Sequence, residues 1–182
     1  MTTTDRPNVA IRFSAAEIAT RVDEMAADLA QKLPADTLVV SVLKGSFVFA
    51  ADLIRALSRA GANWSMDFLT LSSYGTGTKS SGNVRIVRDI VDDVKDRDVL
   101  LVDDILESGL TLSFAKNLLK ERGARRVWVC TLLDKPHKRR AVLKADFTGF
   151  VAGDEFLVGY GLDWAHRFRG LPYIGVVEKA GA

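Results

Sequence analysis

The sequence predicts an α/β protein: a mostly parallel, twisted sheet flanked by helices. Two observations carry this expectation. Apolar runs of strand length at 37–43, 98–102 and 127–133 alternate with segments whose apolar residues recur at helical spacing. The runs are also apolar on successive residues, the pattern of parallel strands covered on both faces.

Taken in order, Ser14 followed by Glu17 forms a capping box, and Ile18, Val22, Met25, Leu29 and Leu33 continue at helical spacing. That helix stops before Pro34, because a proline disfavours helical backbone in the residue ahead of it. Residues 37–43 read as a buried strand. Residues 47–57 read as a helix with Phe47, Ala50, Ala51, Ile54 and Leu57 inward. Two strands, 66–71 and 84–90, are joined by 72–83, a run rich in Gly, Ser and Thr. Residues 98–102 form the expected central strand, 110–120 its following helix and 127–133 another strand. Beyond Asp134 the pattern changes to short segments with Phe147, Phe150, Phe156, Tyr160, Trp164 and Phe168. We expect one domain, 1–182, with a small hood built from roughly 136–182 and the N-terminal segment.

The 182 residues are 48% hydrophobic and 26% charged, which suits one soluble globular domain with a full core. A net charge of +2 is too balanced to indicate a nucleic-acid partner. The lone cysteine, Cys130, excludes an internal disulfide; set in an apolar run, it reads as a structural thiol in a reducing compartment. The first seven residues lack the apolar stretch of a signal peptide, and no apolar run reaches membrane-spanning length. The expectation is a cytoplasmic protein without membrane or nucleic-acid partners. His137 and His166 have no ligand or triad spacing and read as surface residues.

The chemistry concentrates in 99–112. A buried strand delivers Asp103 and Asp104 to its carboxyl edge, and the loop Ile105, Leu106, Glu107, Ser108, Gly109, Leu110, Thr111 opens a helix. The first N–H groups of a helix lack intrahelical partners and, with the helix dipole, attract phosphate. Gly109 lets backbone approach an anion, and Ser108 and Thr111 add hydroxyls. Two carboxylates beside a phosphate cradle suit sugar hydroxyls or Mg²⁺, which shares itself with substrate phosphates. In an open α/β sheet ligands bind at the carboxyl ends of the strands. Lys44-Gly45, Asp103-Asp104 and Asp134-Lys135 all follow strand runs and should meet in one crevice.

Segment 99–112 resembles the phosphoribosyl pyrophosphate-binding motif of the type I phosphoribosyltransferases. Val42-Leu43-Lys44-Gly45-Ser46-Phe47 resembles the pyrophosphate loop of the purine members, in which the peptide before the lysine is often cis. Ser72-Ser73-Tyr74-Gly75 resembles the start of their mobile lid, which implies that Ser73 and Tyr74 close over the reacting centre. By resemblance to the 6-oxopurine branch, Lys135 donates to the purine 6-oxo group. Residues 154–163 resemble its base-binding segment, where Phe156 stacks on the purine, Leu157 offers backbone groups and Asp163 holds a second Mg²⁺. Arg167-Phe168-Arg169 is similar to the family's Phe-Arg pair, with Arg169 reaching pyrophosphate.

The resemblance spans roughly 38–177. It implies the type I phosphoribosyltransferase fold with a hood, Mg²⁺ as cofactor and a homo-oligomer, dimer or tetramer. The implied reaction joins hypoxanthine, and also guanine, to phosphoribosyl pyrophosphate. Asp103 and Asp104 would serve ribose hydroxyls and the first Mg²⁺, and the 105–111 backbone the 5′-phosphate. The sequence departs at two places. Glu107 stands where the family's usual general base is aspartate, and Leu110 where some members carry lysine. One rival is a phosphoribosyltransferase-like regulator that binds pyrimidine-operon RNA. It would need a basic face, and Lys138-Arg139-Arg140 and Arg125-Arg126 read more simply as solvated surface. A kinase P-loop fails because Gly109 is followed by Leu110 and Thr111.

Overall fold

The structure, a computed structural model, describes residues 8–74 and 83–177. In chain order its elements are β1 (Val9–Phe13), α1 (Ala15–Lys32), β2 (Leu38–Leu43), α2 (Phe47–Arg59), β3 (Ser65–Tyr74), β4 (Asn83–Arg88), β5 (Asp98–Leu106), α3 (Leu110–Glu121), β6 (Arg126–Asp134), a 3₁₀ turn (Pro136–Lys138), β7 (Phe147–Val151), β8 (Leu157–Val158) and β9 (Ile174–Val177).

Six strands form one sheet in the order β4-β3-β2-β5-β6-β7. Every pairing is parallel except that of β4, an antiparallel edge strand on β3. Side chains alternate across β5, so each face of the sheet has its own core. Leu100 and Val102 pack with Leu29 of α1 and Phe49, Leu53 and Leu57 of α2. Val99 and Leu101 pack with Leu112, Ala115 and Leu119 of α3. The capping box at Ser14 forms: the Glu17 carboxylate accepts the Ser14 N–H at 2.8 Å, and the Glu17 N–H donates to the Ser14 hydroxyl. Caps of this kind contribute about 1 kcal/mol.

A second sheet, β1-β9-β8, joins the N-terminal segment to the tail beside the crevice. The tail divides later than its composition suggests. Segment β7 pairs with β6 as the sixth strand of the main sheet, with Cys130 opposite Phe147 and Leu133 opposite Phe150, so the hood begins after Val151 and not near residue 136.

Two further expectations are corrected. The central strand does not end at Val102. It runs to Leu106 because β6 extends beside it, pairing Ile105 with Leu133 and Leu106 with Asp134. The inward stripe of α2 is Phe49, Ala50, Leu53, Ala56 and Leu57, whereas Phe47 and Ala51 are exposed and Ile54 is half-buried. Apolar residues lie almost all round this helix, so spacing alone leaves the phase of its stripe open.

Candidate active site

At the end of β2 the Leu43–Lys44 peptide is cis. The loop after it is fastened from below, the buried Ser46 hydroxyl donating to the Val42 carbonyl and sharing a hydrogen bond with Ser41. Lys44 is exposed. Gly45 is a glycine for want of room: a Cβ there would sit 1.8 Å from Asp104 Oδ2. On its other side a Cβ on Gly161, which has φ +101°, would lie 2.1 Å from the Gly45 carbonyl oxygen. The end of β2 and the hood thus meet backbone to backbone at Gly45, and the Asp104 carboxylate of the central strand fills the space a side chain there would take.

Asp103 and Asp104 sit inside β5, three and two residues before its end. The Asp104 N–H donates to Asp103 Oδ1 at 2.9 Å, and the Ile105 N–H to Asp104 Oδ1 at 2.9 Å. Burial pushes the Asp103 carboxyl well above its usual range, and the charge of Asp104 adds to this. Burial also raises Asp104, against the opposing pull of local hydrogen bonds and of Arg169. Among the described residues neither carboxylate has a salt-bridge partner, although both are exposed to the crevice on one side. A pair of buried, like-charged groups without a counter-ion is the mark of a binding site for a cation or a hydroxyl-rich ligand.

The connection to α3 is only residues 107–109, with Gly109 at φ +79° as the helix N-cap. Its backbone is turned by a clamp from the far side. The Glu107 carbonyl accepts Arg139 Nη1 at 2.8 Å, and the Ser108 carbonyl accepts the N–H groups of Arg140 and Ala141 at 2.9 and 3.0 Å. In a trans peptide the N–H points opposite to the C=O. Pinning these carbonyls outward therefore aims the N–H groups of Ser108 and Gly109 into the crevice. Together with that of Thr111, they have no protein partner among the described residues. Ile105 and Leu106 instead belong to the strand, and the Ile105 N–H is used by Asp104.

Two adjoining hollows, of about 270 and 280 Å³, share Gly45, Asp104, Ile105 and Glu107. The first is lined by the β2 loop, the carboxylates and the start of α3, including Leu106. The second holds Lys135, Phe156, Leu157, Asp163 and Arg169. Phe156 leaves 55% of its surface open, an apolar ring in need of a flat partner, while Leu157 is buried. Lys135 is 4% exposed; its ammonium donates to the Glu155 carbonyl at 2.7 Å and lies 3.5 Å from Glu107 Oε1. The strand ends Lys44-Gly45, Asp103-Asp104 and Lys135 therefore do converge. Asp134 faces elsewhere, paired with Arg139.

Glu107 Oε1 also lies 3.0 Å from Lys138 Nζ. Partial burial raises its carboxyl, but the hydrogen bond from Lys138 and the charges of Lys135 and Lys138 outweigh that and hold it below the usual range. Asp163 is anchored by Arg169 Nη2 at 2.6 Å on one oxygen and the His166 N–H at 2.8 Å on the other. Arg169 donates as well to the Gly161 carbonyl at 2.6 Å. Ser73 and Tyr74 close β3, but their side chains and residues 75–82, the span of the expected lid, lie outside the described residues.

Among the described residues no three or more acidic, Cys or His side chains form a metal cage. The donor set nevertheless suits Mg²⁺, which takes one or two carboxylates and completes its shell with water and substrate phosphate. Asp103 and Asp104 offer uncompensated carboxylates, and each Asp163 oxygen keeps a lone pair beyond its present bond.

Sequence reading missed the clamp. Lys138-Arg139-Arg140 is not merely solvated surface, since Arg139 is tied to Asp134 and to the Glu107 carbonyl. The signal was the opposite charge of Asp134 five residues upstream. Cys130 is buried, and burial pushes its thiol far up, as for an inert structural group. His137 and His166 are exposed.

A phosphoribosyl transferase domain model matches residues 14–164. The hypoxanthine-guanine phosphoribosyltransferase of Bacillus subtilis is 46% identical over 172 residues, 93% of each chain. The hypoxanthine phosphoribosyltransferase of Escherichia coli is 41% identical, over 93% of this chain and 95% of its own. A crystal structure of the Staphylococcus aureus hypoxanthine phosphoribosyltransferase superposes with a TM-score of 0.87 at 38% identity, covering 92% of this chain and 90% of that one. With a family model over most of its length, relatives similar along nearly the whole chain and a matching fold, this chain belongs to the phosphoribosyltransferase family, among the hypoxanthine phosphoribosyltransferases.

Proposed function

We propose that the protein transfers the phosphoribosyl group of phosphoribosyl pyrophosphate to hypoxanthine, and to guanine, releasing pyrophosphate and the nucleoside 5′-monophosphate. The observation that carries this reading is the placing of a buried ammonium, an open aromatic ring and an ionised carboxylate around one hollow: Lys135, Phe156 and Glu107. The cation selects a carbonyl acceptor at the purine 6-position over the amine of adenine.

In the reaction the purine N9–C1′ bond forms while the C1′–O bond to pyrophosphate breaks. Phe156 stacks on the base, Lys135 donates to its 6-oxo group, and backbone at Leu157 meets its edge. The first hollow takes the phosphoribosyl part. Asp103 and Asp104 bind ribose hydroxyls, and the N–H groups of Ser108, Gly109 and Thr111, with the start of α3 at Leu110, hold the 5′-phosphate. Lys44, the Gly45 backbone and Arg169 receive pyrophosphate. Glu107 accepts the proton from purine N7. Asp103 with Asp104, and Asp163, would hold Mg²⁺, which when bound neutralises the developing charge on pyrophosphate. Ser73 and Tyr74 would close the lid and exclude water, which would otherwise compete for the activated sugar.

The RNA-binding rival is not supported: Lys138 and Arg139 of one basic cluster pair with Glu107 and Asp134, and Arg125 of the other pairs with Asp98. No helix of the described residues is long and apolar enough to cross a membrane. Cytoplasmic location and a dimeric or tetrameric working form complete the proposal; light scattering reads the latter. A spectrophotometric assay of each purine with phosphoribosyl pyrophosphate and Mg²⁺ tests the whole. Hypoxanthine and guanine should be consumed, activity should vanish in excess EDTA, and adenine should be nearly inert. An adenine kcat/KM within about tenfold of hypoxanthine, against the discrimination expected of a site built for a hydrogen-bonded carbonyl, overturns the assignment.

A further inference from the structure

Glu107 stands on a three-residue loop with its side chain 44% exposed, a setting in which a glutamate ordinarily samples several rotamers. Here one carboxylate oxygen is met by two ammonium groups, Lys138 at 3.0 Å and Lys135 at 3.5 Å. The two are not equivalent. Lys135 is buried and placed by the Glu155 carbonyl, and the base pocket needs it. Lys138 is the exposed last residue of the 3₁₀ turn and approaches Glu107 from outside the hollow. The turn is itself fixed to the loop, because the next residue, Arg139, holds the Glu107 carbonyl. An aspartate at 107 would end one methylene earlier, out of contact with an ammonium at the distance Lys138 keeps.

We propose that Lys138 is a positioning residue for the transfer reaction, its ammonium holding the longer Glu107 side chain across the mouth of the purine hollow. This rests on reading Glu107 as the group that accepts the N7 proton. The charges facing Glu107 are Lys138 and Arg139 from the turn and Lys135 from the end of β6. Asp134 offsets Arg139, and Asp154 and Glu155 act on Lys138 from the tail.

The test compares pH profiles of kcat/KM for hypoxanthine in the wild type, Lys138→Met and Lys138→Arg, each also in a Glu107→Asp background, with Glu107→Gln alongside. Lys138→Met should lower kcat ~2–5-fold and move the acid limb upward by roughly 0.3–0.7 pH unit, the reach of a partly exposed ion pair. The KM for phosphoribosyl pyrophosphate should stay unchanged, and Lys138→Arg should restore most of the loss. In the Glu107→Asp background Lys138→Met should change neither quantity. Equal losses in both backgrounds, or a wild-type profile for Lys138→Met beside an inactive Glu107→Gln, overturn the proposal alone. A Glu107→Gln enzyme of near-normal kcat removes the reading beneath it, and the proposal with it.

Discussion

Gly45 and Asp104 occupy one space: the position of a Cβ on Gly45 falls 1.8 Å from the Asp104 carboxylate oxygen. The loop after β2 and the Asp104 carboxylate can meet only because residue 45 has no side chain. Gly45→Ala should leave the fold intact, since a short carboxylate can rotate away. It should nevertheless turn Asp104 from its place. The expected result is a KM for phosphoribosyl pyrophosphate raised at least ~10-fold, one lost charge-assisted contact, with little change in melting temperature. Steady-state kinetics beside a thermal melt check both halves.

Glu107 carries the second prediction. Its carboxyl is held below the usual range near ~4.3, so the proton-accepting form persists into mildly acidic solution and activity should fall only at lower pH. Glu107→Gln should lower kcat by ~10²–10⁴, the size of general acid–base catalysis, and Glu107→Asp far less. Single-turnover rates with hypoxanthine decide it.

Asp103 should trade stability for binding. Its carboxyl is raised in the folded protein, so its contribution to stability is present below the unfolded value near ~3.9 and is lost as pH climbs toward the folded one. Asp103→Asn removes that loss. The ligand-free variant should melt higher at neutral pH, by ~2–4 °C for each kcal/mol regained in a domain of this size. It should also lose the extra stabilisation that phosphoribosyl pyrophosphate and Mg²⁺ give the wild type. Differential scanning calorimetry with and without both ligands reads the two effects.

Lys135→Ala should cost hypoxanthine ~2–3 kcal/mol in kcat/KM, the range of a charge-assisted hydrogen bond. Adenine, which gains nothing from that cation, should be affected less, so the ratio of the two specificity constants is the quantity to measure.

Much of this was legible in the chain. Apolar runs that end in Lys44-Gly45 and Asp103-Asp104 placed the crevice, because a parallel sheet leaves its strand ends on one side. The short-range devices, such as the Ser14–Glu17 cap, were readable because both partners lie within one turn. What escaped depended on distant partners. Phe47 looked like core until the fold gave that duty to Phe49, and β5 ran past its carboxylates because β6 extended beside it. Arg139 looked like surface because its acceptor at Glu107 is 32 residues away. Periodicity reports which residues are apolar, and topology decides which neighbours they and the charges receive.

The hood sheet has a consequence for biosynthesis. Among the described residues strand β1 pairs with β9 alone, so Val9 waits for Val177. The six-stranded sheet can assemble on the ribosome while β1 still lacks a partner, since its last strand ends at Val151. Contacts so distant in sequence form slowly. A growing chain therefore completes the hollow at the start of α3 before Phe156, Leu157, Asp163 and Arg169 close the second one, and truncation between Val151 and Phe156 should yield a folded sheet that cannot select a purine.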